Sequence, residues 1–436
     1  MTATNLAAIV TTDLTAITRG RFLPAGSIGE ARSGVGWVPA NLAVQADGAI
    51  AAGNRWGTKG DLRLIPDPAA RYVTGSTGAS TPFDMSMADL VTPSGEAWPG
   101  CARTQLRQAC DALEAATGLH LRVAFEHEFQ IVGDDLEDAH VFSYQAMRQI
   151  EPFAGRYFHA LEEAGIEPET ILAEYGMHQF EITSRPAGPI TAADRAVATR
   201  EITREMCRIA GMKVSFAPMT APDRAGNGVH VHFSLTDAAG KPVGYDPAGP
   251  GGLSRIGGAF CAGILAHTPA MLAYTAPSPV SYLRLKPQNW TPLWAWLAEG
   301  DRGTSLRICP VVEMSEKAAA DQFNLEFRAA DATANPYLVL AALIRAGLDG
   351  IERDLVPTPF SGDPDEATAE QRAAFNICAL PASLDEALRT MQASAAVMSW
   401  FPEPLAGTFV ELKRMECRAA EGLNDNELCA QARGRY

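Results

Sequence analysis

The segment Leu119-His-Leu-Arg-Val-Ala-Phe-Glu-His-Glu-Phe-Gln-Ile-Val132 alternates with a period of two. Leu121, Val123, Phe125 and Phe129 fall on one side, with His127 among them, and Glu126, Glu128 and Gln130 on the other. That is the period of a β-strand with an apolar underside and a polar face. Three further segments share it. In His178–Ile182, Gln179 and Glu181 oppose Phe180 and Ile182. Val229, Val231, Phe233 and Leu235 alternate with His230, His232 and Ser234. Phe323, Leu325 and Phe327 alternate with Asn324, Glu326 and Arg328. A single such row is commonly the solvated side of an antiparallel sheet. These four contain no lysine on the polar side and repeat Glu, His and Arg instead, so together they predict one acidic, cation-binding concavity.

Glu126, Glu128, Glu174, Glu181 and Glu326 with His230 make an oxygen-rich donor set. Such a set suits Mg²⁺ or Mn²⁺ better than zinc. Packed carboxylates repel one another unless two or three divalent ions neutralise them, and multi-metal carboxylate sites clamp phosphate oxygens. Arg284, Arg302, Arg307 and Arg328 offer guanidinium forks that match phosphates and carboxylates. Gly226-Asn-Gly228, just before His230, permits close backbone approach to a ligand. There is no G-x-x-x-x-G-K-[ST] and no dinucleotide fingerprint between a strand and a helix, which disfavours both of those nucleotide-binding modes.

Composition narrows the class. The chain has 436 residues, 47% hydrophobic and 20% charged, with a net charge of −15. The length predicts two domains, and the acidic balance is a poor match to a nucleic-acid surface. Eight cysteines without a C-x-x-C predict reduced thiols. No signal-peptide pattern opens the chain. The longest apolar stretches are interrupted by His267, Pro269 or Arg345, so no membrane span is predicted. A cytoplasmic enzyme is expected. Residues 1–96 are rich in Gly, Pro, Thr and Ser, with short alternating runs such as Leu42–Val44 and Leu62–Ile65, and predict small strands and loops. The Pro/Gly-rich connection Thr92–Pro99 predicts the boundary with a second domain, 97–436. There helical periodicity appears near Leu106–Ala116, stopping at Gly118, and over Ala192–Ala210, Leu253–Leu265, Pro336–Leu355 and Ser383–Val397. Irregular mixing of strands and helices predicts an α+β fold.

Several motifs, taken in order, resemble the glutamine synthetases. Gly60-Asp-Leu-Arg-Leu-Ile-Pro-Asp67 is similar to the family's S-D-x-x-L-x-P-D strand, and Glu126-His-Glu128 to its E-x-E pair. Glu174-Tyr-Gly-Met-His-Gln-Phe-Glu181 resembles E-x-x-P-G-Q-x-E. Gly226-Asn-Gly-Val-His-Val-His232 resembles G-S-G-M-H-x-H, and Arg284-Leu-Lys-Pro287 resembles R-L-x-P. Asp301-Arg-Gly-Thr-Ser-Leu-Arg307 is similar to N-R-x-x-x-x-R, and Glu326–Tyr337 to E-x-R-x-x-D-x-x-A-N-P-Y. The resemblance runs from about Gly26 to Phe401. It implies a small N-terminal β-grasp domain and a larger catalytic domain on a curved antiparallel sheet. It also implies homo-oligomeric rings, a dodecamer of two stacked hexamers, with active sites shared between neighbours.

Residue by residue, the resemblance puts Glu128, Glu174 and Glu181 on one metal and Glu126, His230 and Glu326 on a second. Gly226, Arg284 and Arg328 would hold glutamate. Arg302 and Arg307 would stabilise the transferred phosphoryl group, with His232, Ser234 and Asn324 near ATP. Glu30 and Ser33 would act on the neighbour's site. The implied reaction phosphorylates the glutamate γ-carboxylate, and an amine nitrogen then attacks the acyl phosphate. Departures bear on the nitrogen donor. Trp290 stands where ammonia-using members carry a flap glutamate, Glu30 where they carry an aspartate, and Ala225 where many carry an asparagine. Cys378 replaces a tyrosine that some relatives adenylylate. The expectation is an ATP-dependent ligase joining glutamate to a small alkyl or aryl amine. The alternatives are ammonia-dependent glutamine synthesis and a catalytically silent sensor or scaffold.

Overall fold

The computed structural model describes residues 4–51, 54–133, 136–286 and 291–436. Strands β1 (Leu6–Thr12), β2 (Thr18–Pro24), β3 (Val35–Trp37), β4 (Leu62–Thr74) and β5 (Phe83–Val91) form one sheet in the order β2-β1-β5-β4-β3. β1 and β5 lie parallel at its centre and the other neighbours are antiparallel, so the first and last strands sit side by side as in a β-grasp. The strand expected over Leu42–Val44 is absent. Pro39–Ala43 is a 3-10 helix with Pro39 at its first position, and only Val44 bridges, to Ile50. Proline fixes φ for a helical start and donates nothing to a ladder.

The second sheet carries β6 (His120–Val132), β7 (Pro168–Ala173), β8 (Gln179–Ser184), β9 (Lys213–Ser215) and β10 (Val229–Thr236). After β11 (Trp294–Ala295) it continues with β12 (Leu297–Glu299), β13 (Leu306–Ile308) and β14 (Leu325–Phe327). The order is β12-β13-β14-β10-β6-β8-β7, with β9 also on β6, while β11 pairs with β15 (Cys378–Ala379). The sheet is antiparallel throughout except at β12 and β13, which run parallel at one edge. That single pair departs from the expected all-antiparallel sheet.

The expected helices form with shifted ends. Ala102–Thr117 stops at Gly118, and Pro189–Ile209 and Pro336–Glu352 begin on proline. The helix expected to end near Leu265 runs from Arg255 to Thr275 and accommodates Pro269. Its 21 residues are apolar and long enough to cross a bilayer, but 83% of its most apolar stretch is buried inside the protein. It packs on Pro336–Glu352 at Gly263 and Gly350, where a Cβ would come within 2.2 Å of the facing carbonyl oxygens of Ala346 and Ala259. The helix expected over Ser383–Val397 is two, because Ser394 leaves helical geometry and its side chain caps the Val397 amide.

One continuous core joins both sheets, taking in Ile9, Leu64 and Met87 with Phe129, Val231 and Phe327. Polar clasps reinforce the join. Arg103 is 4% exposed; it donates to both oxygens of Asp194 (3.0 and 2.9 Å), to Asp67 (2.6 Å) on β4 and to Asp89 (3.1 Å) on β5. Tyr337 Oη donates to Asp194 at 2.6 Å. Asn335 caps the Pro336–Glu352 helix with its oxygen and donates its amide to the Thr12 and Asp13 carbonyls, both at 3.0 Å.

Candidate active site

Strand register builds the site. Glu128 lies directly across from Glu181, His230 from Glu126, and Glu326 from both His232 and Arg307. His127 and Phe129 point to the opposite side and are buried, as their parity predicts, and burial drives the His127 imidazole down to about 3. Glu126 Oε1 lies 2.7 Å from His230 Nδ1, and its Oε2 lies 3.3 Å from His232 Nε2. Glu326 accepts from Arg307 at 2.8 Å and from Arg328, and its Oε1 is 3.6 Å from His230 Nδ1. His232 Nδ1 faces Asn324 Oδ1 at 2.9 Å. Ser234 is half-buried on the same face.

Glu128 is held from the far side. Its Oε2 accepts from the Gly228 amide at 2.8 Å and from Gln179 Nε2 at 3.1 Å. Gln179 also donates to the Gly226 carbonyl (2.8 Å) and to Asn227 Oδ1 (2.9 Å), while Asn227 donates to the Ala217 carbonyl at 2.8 Å. Gly228 cannot be larger: a Cβ there would stand 2.6 Å from an Arg284 nitrogen and 2.8 Å from His230 Nε2. Gln179 and Asn227 carry no charge; Gln179 opens β8 on the polar face, and the glycines flanking Asn227 mark its turn in the sequence.

Two donor groups could each hold a cation: Glu126, Glu181 and His230, and Glu126, His232 and Glu326. Within each group the ligand atoms lie within 4.8 Å of one another. Glu174, in the turn between β7 and β8, accepts its neighbour Tyr175's amide at 3.1 Å and is half-buried. The electrostatics fit a site designed for cations. Burial and the charges of its neighbours, Glu126 first, hold the Glu181 carboxyl well above its usual range, and burial with the Glu128 charge raises Glu174 to about 7. Burial opposes ionisation of Glu326 too, but His230, Arg328, His232 and Arg307 prevail and bring it down to about 2. Burial likewise opposes ionisation of Glu126, and the two histidines pull it well below the usual range. A divalent ion reaching Glu181 and Glu174 must displace protons, so its affinity should rise with pH. We expect Mn²⁺ to bind more tightly at about pH 8 than at about pH 6, on either side of the Glu174 value, with net proton release. Titration calorimetry in buffers of different ionisation enthalpy reads this, and pH-independent binding without proton release would contradict it.

Two cationic groups stand ready for anions. Arg284 is buried and donates only to the carbonyls of Ala330 (3.0 Å) and Arg328 (3.4 Å), with no carboxylate partner among the described residues. Arg307 Nε is buried without a hydrogen-bond partner among the described residues. Arg302 is exposed, and its carbonyl accepts from Arg328 Nε at 2.9 Å. Glu30, at the end of the 3-10 helix Ala25–Glu30, and Ser33, in the turn after it, are also exposed, and among the described residues neither side chain is shown on the carboxylate face of its own chain. Trp290 lies outside the described residues.

An aromatic pair that periodicity does not reveal borders Glu174. Phe142 and Tyr175 meet edge-on with ring centroids 4.8 Å apart, each about half exposed. Phe142 (φ 53°) and His178 (φ 55°) both adopt left-handed backbone, and His178 Nε2 lies 3.3 Å from the Glu137 carbonyl, tying the two loops together. Non-glycine residues held in that region concentrate at functional sites.

Comparison with known proteins agrees with this geometry. Residues 1–98 match the glutamine synthetase N-terminal domain and residues 99–429 its catalytic domain. A γ-glutamylpolyamine synthetase of Streptomyces coelicolor is 32% identical over 435 residues, covering 97% of this chain and 92% of that protein. A glutamate–isopropylamine ligase of a Pseudomonas species is 28% identical over 386 residues, covering 84% and 80% respectively. A crystal structure described as a novel glutamine synthase homolog superposes with a TM-score of 0.92 at 43% identity, covering 100% of this chain and 99% of that one. On these matches, the chain belongs to the glutamine synthetase family and is an ATP-dependent glutamate ligase.

Proposed function

We propose that this ligase joins the glutamate γ-carboxylate to a small alkyl or aryl amine rather than to ammonia. The observation that carries the reading is the half-exposed Phe142–Tyr175 pair beside Glu174. Ammonium is small and strongly hydrated, and selecting it requires oxygens close around it. An alkyl or aryl amine gains roughly 0.8 kcal/mol per buried CH₂, and aromatic faces attract its cationic form. Trp290, in place of a flap glutamate, shifts the balance the same way at the level of sequence.

The chemistry assigns roles as follows. The guanidinium of Arg284, which has no carboxylate partner among the described residues, binds the glutamate substrate with Arg328 and the Gly226 backbone. Glu126, Glu128, Glu174, Glu181, His230 and Glu326 would hold two or three Mg²⁺ or Mn²⁺ ions, which when bound neutralise phosphate charge. Arg302 and Arg307 stabilise the phosphoryl group during transfer from ATP, the role guanidinium groups serve best. His232, Ser234 and Asn324 border the nucleotide. A retained acid, Glu30 from the neighbouring subunit or Glu174, takes the proton of the incoming ammonium group. Glu30 and Ser33, idle toward their own chain, serve a neighbour in a ring-shaped homo-oligomer, and the enzyme works in the cytoplasm.

The test is kcat/KM for ammonium, methylamine, ethylamine, isopropylamine, aniline and a diamine, with ATP, glutamate and Mg²⁺, on protein sized by sedimentation. A small alkyl or aryl amine is expected to be preferred, and Trp290→Glu should move preference toward ammonium. If ammonium is the best wild-type substrate, the reading gives way to plain glutamine synthesis. A best diamine would move it to polyamine ligation, and a fully active monomer would remove the shared site.

A further inference from the structure

His178 occupies a backbone position that suits glycine. Its φ is 55°, a region that residues with a Cβ seldom adopt, and the segment E-x-x-P-G-Q-x-E that residues 174–181 resemble carries glycine there. Strain of this kind persists only where surrounding contacts fix it. The contact here is the ring nitrogen Nε2, 3.3 Å from the Glu137 carbonyl. A carbonyl can only accept, so the proton is on Nε2. The turn beneath the ring is pinned to the catalytic sheet. The Gly176 amide donates to Gln179 Oε1 at 2.7 Å, the Glu174 amide to the Gln179 carbonyl at 2.8 Å, and the Ile131 amide of β6 to the His178 carbonyl at 3.0 Å. From that platform the imidazole reaches the loop that carries Phe142, whose ring then meets Tyr175. Ordering a loop in solvent costs backbone entropy at every residue, and one contact between half-exposed rings does not offset it.

We propose that His178 is a positioning residue that sets amine specificity. By tying the 136–142 loop to the turn between β7 and β8, it keeps Phe142 and Tyr175 together as one apolar wall beside Glu174. The wall favours an amine with a hydrocarbon body over ammonium, which has none to bury. His178 acts through these two rings and touches no reacting atom. The proposal rests on the amine reading above for the identity of the substrate, whereas the tie between loop and turn stands apart from it.

Two variants of the whole protein test it. His178→Gly deletes the ring and leaves the left-handed backbone unstrained, and His178→Gln keeps an N–H donor of similar reach. The readout is kcat/KM for isopropylamine divided by that for ammonium. In His178→Gly the ratio should fall roughly tenfold, the scale on which apolar pockets separate substrates, while KM for ATP and for glutamate holds. His178→Gln should recover most of it. Amide hydrogen exchange over residues 136–142 should quicken in His178→Gly and stay near wild type in His178→Gln. The wild-type ratio tests the amine reading, and its change on substitution tests His178. A wild-type ratio below one that still falls in His178→Gly refutes the reading and supports the tie. An unchanged ratio, unchanged exchange, an equal loss with both amines, or no recovery in His178→Gln would each overturn the role given to His178.

Discussion

Glu326→Ala is expected to abolish ligase turnover, by on the order of 1,000-fold or more, the scale of losing a preorganised electrostatic contact at a reacting centre. Glu326 is 1% exposed and is the common acceptor for Arg307 and Arg328, with His230 3.6 Å away. Alanine leaves two guanidinium groups without their shared counter-charge and removes an oxygen ligand from one cation group. Breaking a buried pair in this way costs about 3–5 kcal/mol of stability, so activity must be compared on protein shown to be folded by circular dichroism. Glu326→Gln separates the two effects, since it keeps volume and an acceptor oxygen while deleting the charge. Phosphate release in the presence of ATP, glutamate and amine gives the rate. Turnover near wild type in both folded variants would remove Glu326 from the phosphoryl-transfer machinery.

The second large effect concerns stability. Arg103→Met strips the guanidinium from among Asp67, Asp89 and Asp194 and should cost about 3–5 kcal/mol. Three carboxylates would then crowd the join between β4, β5 and the helices carrying Asp194 and Tyr337. The loss should depend on pH in a definite direction. Burial tends to raise Asp67, but the Arg103 hydrogen bond outweighs it and holds the folded-state value below the ordinary one. The stabilisation from that pair is thus present above the unfolded carboxylate range and fades as pH falls through the lowered value. Chemical denaturation at neutral pH should separate wild type from variant widely, and the gap should narrow in acid. Coincident midpoints at neutral pH would show that the clasp contributes little.

The sheet face was legible because a period of two leaves no freedom: once Glu126 and Glu128 face one way, His127 and Phe129 must face the other. Glu181, His230, His232 and Glu326 followed by the same logic, and the register then brought residues as far apart as Glu126 and Glu326 together. Gln179 and Asn227 were harder to foresee as supports, because a neutral amide gives no sign of what it holds until its partners are seen. The Phe142–Tyr175 contact joins two loops and obeys no periodicity. Pro39 overrode the alternating pattern at Leu42–Val44, and Ser394 divided one helical period into two helices. In both cases local backbone chemistry prevailed over the hydrophobic pattern.

The strand order also arranges charge along one direction. Arg307 on β13 and Arg328 just beyond β14, sharing Glu326 on β14 between them, lie toward one side, followed by the histidines of β10, then Glu126 and Glu128 on β6, Glu181 on β8 and Glu174 after β7. Anionic and cationic groups drawn to this face are favoured at opposite ends of it, like charges between the plates of a fixed capacitor. The face therefore carries a direction set by the order of the strands before any ligand arrives. Added salt leaves most of this gradient in place, because screening acts on solvated charges and Glu128, Glu181, Glu326, Arg307 and Arg328 are buried.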